Sequence, residues 1–391
     1  MIRLAEINNT TIVNFMNLIK TLTSLTLVLA SSLSQAENGV TDKEILIGQF
    51  APISGPAAQL GQRMQQGMQA YFHAINAQGG INGRVIKLLT RDDGYEPDKA
   101  VAAVKALIQE DKVFALAGAV GTPTGLAALP ILTEAQVPLV GLYTGAQALR
   151  EPFNRQVFHV RASYFDETER IVQHLTTLGV KKIAVFYQND AFGKTGLDGV
   201  VRALTKRQLK PVATVTVERN SVDVAKALET ILKSDPEAVV QISVYKSSAS
   251  FIKQARVKGY SGQFFNLSAV GPKALADELG DAGQGVVISQ VVPFPFAANS
   301  QLVRDYQQRM TDMGQKEFDF SSMEGYLTAR VLVEGLRRAG RTLSREALIT
   351  ALESMHEVNV GGFTVNYSSK DHQGSTFTDL AILGRGGKFM H

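Results

Sequence analysis

Two α/β lobes, each built on a parallel sheet, are what this chain predicts, and three observations carry the expectation. Its 391 residues suffice for two or three domains at about 150 residues each. From Ile45 onward, short β-rich runs alternate with longer stretches of helical periodicity, as in parallel sheets covered on both faces. The alternation restarts after Val157-Phe-His-Val160, so it forms two series.

In the first series, ILIGQF (45–50) leads to a helix over about 59–77. There Leu60, Met64, Met68, Tyr71 and Ile75 recur at spacings of three and four, one apolar face of a helix. Gly79, Gly80 and Gly83 stop it, since glycine accepts left-handed turns. VIKLLT (85–90) precedes a helix opened by Pro97 and running to about 110; proline suits a first turn. VFALAG (113–118), a helix over 124–135 and the strand PLVGL (138–142) follow.

The second series reads as helix 165–178, KKIAVFY (181–187), helix 195–207, PVATVTVE (211–218), helix 222–234, AVVQIS (238–243), helix 247–258 and FFNLS (264–268). VVISQVVP (286–293) adds a strand. Three helices are expected over about 300–313, 322–339 and 344–355, and the tail is β-like at 363–367 and 377–383. Ligands of such sheets sit outside the carboxyl ends of the strands, so the cleft between the lobes is the expected site.

Composition excludes several classes. Lys and Arg number 40 against 36 Asp and Glu, a balance of +4. These charges are scattered, without the basic stripe of a nucleic-acid binder, and no nucleic-acid partner is expected. Cysteine is absent, which removes disulfides, thiolate zinc sites, cysteine catalysis and a lipidated N-terminal cysteine.

The N-terminal segment reads as an export signal. Lys20 precedes an apolar stretch through Leu33, and Ser34-Gln-Ala36 has the small-x-small pattern of a cleavage site. The stretch is shorter than the about 20 apolar residues of a spanning helix. Met16-Asn-Leu-Ile-Lys resembles a signal start better than MIRLAEINN does, so Met16 is the expected true start. Residues 1–36 are the expected signal peptide, leaving a soluble periplasmic protein.

Motifs for catalysis are missing. Gly193-Lys-Thr195 ends like a phosphate loop, but Gln188 stands where the loop needs glycine. Gly283-Gln-Gly285 runs on into Val-Val-Ile and follows no strand. The six histidines are dispersed and no His-Glu-x-x-His occurs. Asp92-Asp93 reads as capping of a turn and the next helix. No cofactor, no metal and no enzyme activity are expected.

The stretch IGQFAPISGPAAQLGQRMQQGMQAYFHAINAQGGINGRVIKLLTRDDGYEPDKAVAAVKALI, with YQNDAFGKTGLDGV, IKQARVKGYSGQFF and GDAGQGVVISQVVPFP later, resembles the type I periplasmic solute-binding proteins of ABC importers. The similar branch includes the leucine/isoleucine/valine-binding receptors, and the resemblance covers nearly all of 43–391. It implies two Rossmann-like lobes joined by three hinge crossovers and closing on a small ligand. Lobe 1 would be 43–160 plus 291–355, and lobe 2 would be 161–290 plus 356–391. The crossovers would fall near Val160–Ser163, Val291–Phe294 and Glu357–Gly362.

The same resemblance implies ligand-binding residues. Loops 121–125 and 142–146 would hold the ligand carboxylate through Thr122 or Thr124, Tyr143, Thr144 and Gly145. Their hydroxyls and backbone N–H groups beside a helix start suit an anion, with Thr122 placed to cap the helix. Ser54 and Gln59 follow the first strand, and Phe192 and Tyr245 are aromatic wall positions. Ser268 stands where amino-acid binders of the family place an acid for the ligand ammonium. Asp190, or a carboxylate from the 163–167 loop, would have to serve instead.

The implied function is capture of a branched-chain-like amino acid for an ABC permease of the inner membrane, by a monomer. The alternatives are an aromatic or aliphatic carboxylate or an amide as ligand, or a sensor feeding a signalling partner.

Overall fold

The computed structural model describes residues 37–391; the expected signal, with the Met16 start and the cleavage after Ala36, lies outside them. Two main sheets organise the chain. The first holds β1 (Glu44–Ala51), β2 (Val85–Asp92), β3 (Ala115–Ala117), β4 (Leu139–Val140) and β5 (Val157–Phe158), all parallel, in the order β2-β1-β3-β4-β5. The second begins with the parallel strands β6 (Ile183–Gln188), β7 (Ala213–Val217), β8 (Ala238–Ile242), β9 (Gln263–Asn266) and β10 (Val287–Gln290). A small ribbon, β11 (Val358–Asn359) with β12 (Thr364–Val365), comes next. Then β13 (Asp379–Leu383) and β14 (Phe389–Met390) join the second sheet antiparallel, giving β14-β13-β10-β9-β8-β6-β7.

Eleven described α-helices connect these strands: α1 (Ala58–Ala77), α2 (Pro97–Lys105), α3 (Thr122–Glu134), α4 (Tyr164–Thr177), α5 (Ala191–Thr205), α6 (Ala225–Lys233), α7 (Tyr245–Val257), α8 (Pro272–Leu279), α9 (Gln301–Asp312), α10 (Phe320–Ala339) and α11 (Arg345–Glu353). The periodicity of α1 buries Leu60, Met64, Met68 and Ile75. It packs closely on α10, because Gly67 and Gly325 leave no side chain between the two backbones. Among the described residues no helix is long and apolar enough to cross a membrane.

Several boundaries differ from expectation for local reasons. Asp190 accepts from the N–H groups of Phe192 and Gly193, so α5 starts at Ala191 and not near 195. The helix from Pro97 ends in a π-helical turn, Ala106–Glu110. Helix α8 was not expected at all; Gly271-Pro272 opens it and it is only eight residues long, too short to show periodicity.

The chain crosses between the sheets three times. The first passage is 159–163, and the second lies between β10 and α9. The third comes later than the expected Glu357–Gly362. Phe363, Val365 and Tyr367 share a core with Phe158, Tyr326 and Leu327, and His159 bridges Gln373. That stretch therefore packs with the first sheet, and the chain leaves it between Gln373 and β13. Arg150 ties two passages together: its guanidinium donates to the carbonyls of Arg161 and Ala162 at 3.0 and 3.3 Å and to Gln373 Oε1 at 3.3 Å.

Candidate functional site

Two loops at the carboxyl ends of β3 and β4 form the centre of the candidate site. Gly121, at φ 105°, sits at the cap position of α3, and no side chain caps that helix. The expected cap, Thr122, is instead the first helical residue, because Gly121 turns the chain in a region closed to threonine. Its hydroxyl is thereby freed and pairs with Thr144 Oγ1 at 2.6 Å. Thr144 in turn donates to the Tyr164 hydroxyl at 3.1 Å and accepts from Ala146 N–H. Gly145 is needed for this approach: a Cβ there would lie 2.6 Å from Tyr164 N. Thr124 points elsewhere, its hydroxyl donating back to the carbonyls of Val120 and Gly121.

Tyr143 spans the two sheets. Its hydroxyl donates to the carbonyl of Ser268, after β9, at 3.1 Å and pairs with Ser321 Oγ of α10 at 2.9 Å. Burial, with Glu324 nearby, pushes that hydroxyl well above the ordinary tyrosine range. Burial also raises Tyr164. Both rings face a charge that the sequence reading missed. Arg161 is 1% exposed, with its guanidinium 5.2 Å from the Tyr143 ring centre and 5.7 Å from that of Tyr164.

Arg161 is held by groups from both sheets. Its Nη2 donates to Glu167 Oε1 at 2.8 Å and contacts Ser268 Oγ, and its Nη1 reaches Glu324 Oε1 at 3.4 Å. Burial opposes its charge, yet Glu324 and Glu167 keep the guanidinium above its ordinary value. Burial lifts the Glu324 carboxyl up to about 7, against the pull of Arg161. Glu167 Oε2 accepts from Ser268 N–H at 2.8 Å and Ser289 Oγ at 2.5 Å. The only sequence signal for this cluster is local. Ser163 and Asp166 form a capping box, which sets Glu167 on the first turn of α4.

The remaining expected residues fall into three places. Phe192 is buried, its ring 5.4 Å from Tyr164, so it joins the central group. Tyr95 approaches Gln188 of β6 at 3.4 Å, and Glu96 binds Arg219 and Asn220, both after β7, each at 2.7 Å. These contacts clasp the same cleft from outside. Gln59 and Tyr245 lie at its mouth, in a groove of about 510 Å³ that Arg63, Lys246, Asp277 and Glu278 also line. Ser54 is removed from the centre; its hydroxyl donates to Asp92 Oδ2. Asp92 and Asp93 serve the turn chemistry read from sequence, accepting from the N–H groups of Ile53, Ser54, Gly94 and Tyr95.

Chemically, the cleft offers paired hydroxyls, an uncapped helix start, aromatic walls and one buried cation. Among the described residues no cluster of His, Asp and Glu could hold a metal ion.

A family model described as periplasmic binding protein matches residues 44–387. An amino acid binding protein of Pseudomonas aeruginosa is 26% identical over 72% of this chain and 74% of its own length. A crystal structure titled as a possible leucine/isoleucine/valine-binding protein from Rhodopirellula baltica superposes with a TM-score of 0.85 at 32% identity, covering 90% of this chain and 96% of that one. A fatty acid ABC transporter substrate-binding protein from Thermomonospora curvata, 23% identical, shares the fold with a TM-score of 0.82 over 91% of this chain and 93% of its own.

Proposed function

The chain belongs to the periplasmic binding protein family, a family of substrate-binding proteins of the leucine/isoleucine/valine-binding type, and from that premise we propose that it is the solute receptor of an ABC importer. It is exported, captures a small hydrophobic solute bearing a carboxylate in the cleft between its sheets, closes by hinge motion and delivers the solute to a permease of the inner membrane. Branched-chain amino acids are the solutes that its relatives' names suggest.

The observation that carries this reading is the pairing of Thr122 with Thr144 beside the uncapped start of α3. Hydroxyls and free N–H groups there can accept a carboxylate. Tyr143, bonded across to Ser268, joins the two sheets over the same point, so closure and ligand capture share residues. Phe192 and Tyr245 supply apolar cover. No step of chemistry is part of this reading.

A melting-temperature screen of amino acids, aromatic acids, aliphatic acids and short amides tests it, because a ligand that binds only the native state raises that temperature. Scattering should show a smaller radius of gyration on saturation with the hit. An unchanged radius, or chemical conversion of the hit, would count against the receptor role.

A further inference from the structure

We infer that Arg161 sets the charge class of the ligand: its guanidinium pairs with a carboxylate, and the cleft takes small hydrophobic carboxylic acids in preference to the α-amino acids of the same side chain. The inference rests on the proposed reading of this cleft as the ligand site, and three observations lead to it.

The first is position. Arg161 stands between Tyr143 and Tyr164, whose hydroxyls hold Ser321 and Thr144. The cation is therefore one side chain away from the hydroxyl pair that would accept a carboxylate. The second is spare capacity. A guanidinium has five N–H donors. Here Nη2 meets Glu167 and Ser268, Nη1 has only the 3.4 Å approach to Glu324, and Nε is buried without a partner. A buried donor left unmade is unfavourable, and an entering oxyanion would satisfy it.

The third concerns what an ammonium would find. Both Glu167 oxygens are taken, one by Arg161 and the other by Ser268 N–H and Ser289 Oγ. Ser268 itself brings a hydroxyl and no acid. Asp190, beside Phe192, is taken by the Phe192 and Gly193 N–H groups and by Gln188. Of the carboxyls that meet Arg161, Glu324 remains; Arg161, Glu167 and Arg150 are the charged groups acting on it, and the Tyr143 hydroxyl lies close to it. With Glu324 neutral, Glu167 is the one carboxylate paired with Arg161, and a ligand carboxylate would meet the buried Nε that has no partner. A ligand ammonium would bring a second cation up to Arg161.

Calorimetry on the full chain near pH 7 tests this, pairing leucine and phenylalanine with their deaminated acids, in two buffers of different ionisation heat. The acids should bind at least tenfold tighter, and binding should take up protons as Glu324 is kept neutral. Arg161→Lys, checked for cooperative unfolding, should weaken the acids at least tenfold and leave the amino acids less affected. Glu324→Gln should preserve the preference for acids and abolish proton uptake. Equal affinities, tighter amino acids, or proton release on binding would overturn the inference and leave the receptor reading standing. Failure of both classes to bind, with another solute raising the melting temperature, would overturn it as well. A general loss of stability in Arg161→Lys moves both ligand classes together, so the affinity ratio isolates the role in specificity.

Discussion

Gly67 and Gly325 are reciprocal: a Cβ on Gly67 would lie 1.8 Å from the carbonyl oxygen of Ser322, and one on Gly325 would lie 2.2 Å from that of Met64. Each helix thus uses its own glycine to admit the other's backbone. Since α10 also carries Ser321 and Glu324 toward Tyr143 and Arg161, the crossing fixes the depth of the cleft. Gly325→Ala should destabilise the protein by about 1–3 kcal/mol through overpacking, read as a lower denaturation midpoint at unchanged slope.

Glu96 joins Arg219 and Asn220 across the cleft rim at 2.7 Å each. The pair is partly exposed, with side-chain exposures of 25% for Arg219 and 38% for Glu96, so screening limits its worth to about 1 kcal/mol. Glu96→Ala should barely move the melting temperature of the free protein. It should speed ligand release by roughly three- to fivefold, measured by stopped-flow displacement.

Thr144 carries the hydroxyl that meets both Thr122 and Tyr164. Thr144→Val keeps the shape and removes that group. A carboxylate ligand should lose about 1–3 kcal/mol of binding, the worth of a hydrogen bond to a charged group. Calorimetric affinities of wild type and variant for one acid decide it.

Asp93 is fully buried, and burial outweighs the Tyr95 N–H bond to lift its carboxyl from 3.8 up to about 7. The folded state therefore holds this proton over a range in which the unfolded state has lost it. Stability conferred at low pH is lost as pH rises from about 4 to 7, and nothing further is lost above that. Asp93→Asn keeps the acceptor for Tyr95 and should flatten this fall, by roughly 2–4 kcal/mol at most. Urea midpoints at pH 5 and pH 7.5 measure it.

Periodicity made most of the architecture legible. The apolar rows of α1, and β-rich runs such as those of β6 and β8, are local signals, and they stand where they were expected. What escaped has no local signal. Arg161 and Glu324 are 163 positions apart in sequence, and Glu167 and Ser289 are 122 apart; only folding makes them neighbours. Helix α8 was hidden by its length. The last passage between sheets lies later than the sequence suggests, because Phe363, Val365 and Tyr367 look like any β-like tail and their burial against the first sheet is a matter of topology.

The order in which the strands enter the second sheet has a consequence for the growing chain. Strand β10 lies inside that sheet only because β13 pairs with it, Val287 to Ile382 through Gln290 to Asp379, and β13 follows it only after α9, α10, α11 and the β11–β12 ribbon. Until then β10, paired with β9 on one side, is an open edge on the other, with the N–H and C=O groups of that side unpaired, the kind of edge that recruits other chains. A polypeptide stopped short of residue 379 would retain every other strand of both main sheets except β14 and still present a sticky border. The arrival of β13, and not the length already made, is the moment at which this border is closed to neighbouring chains.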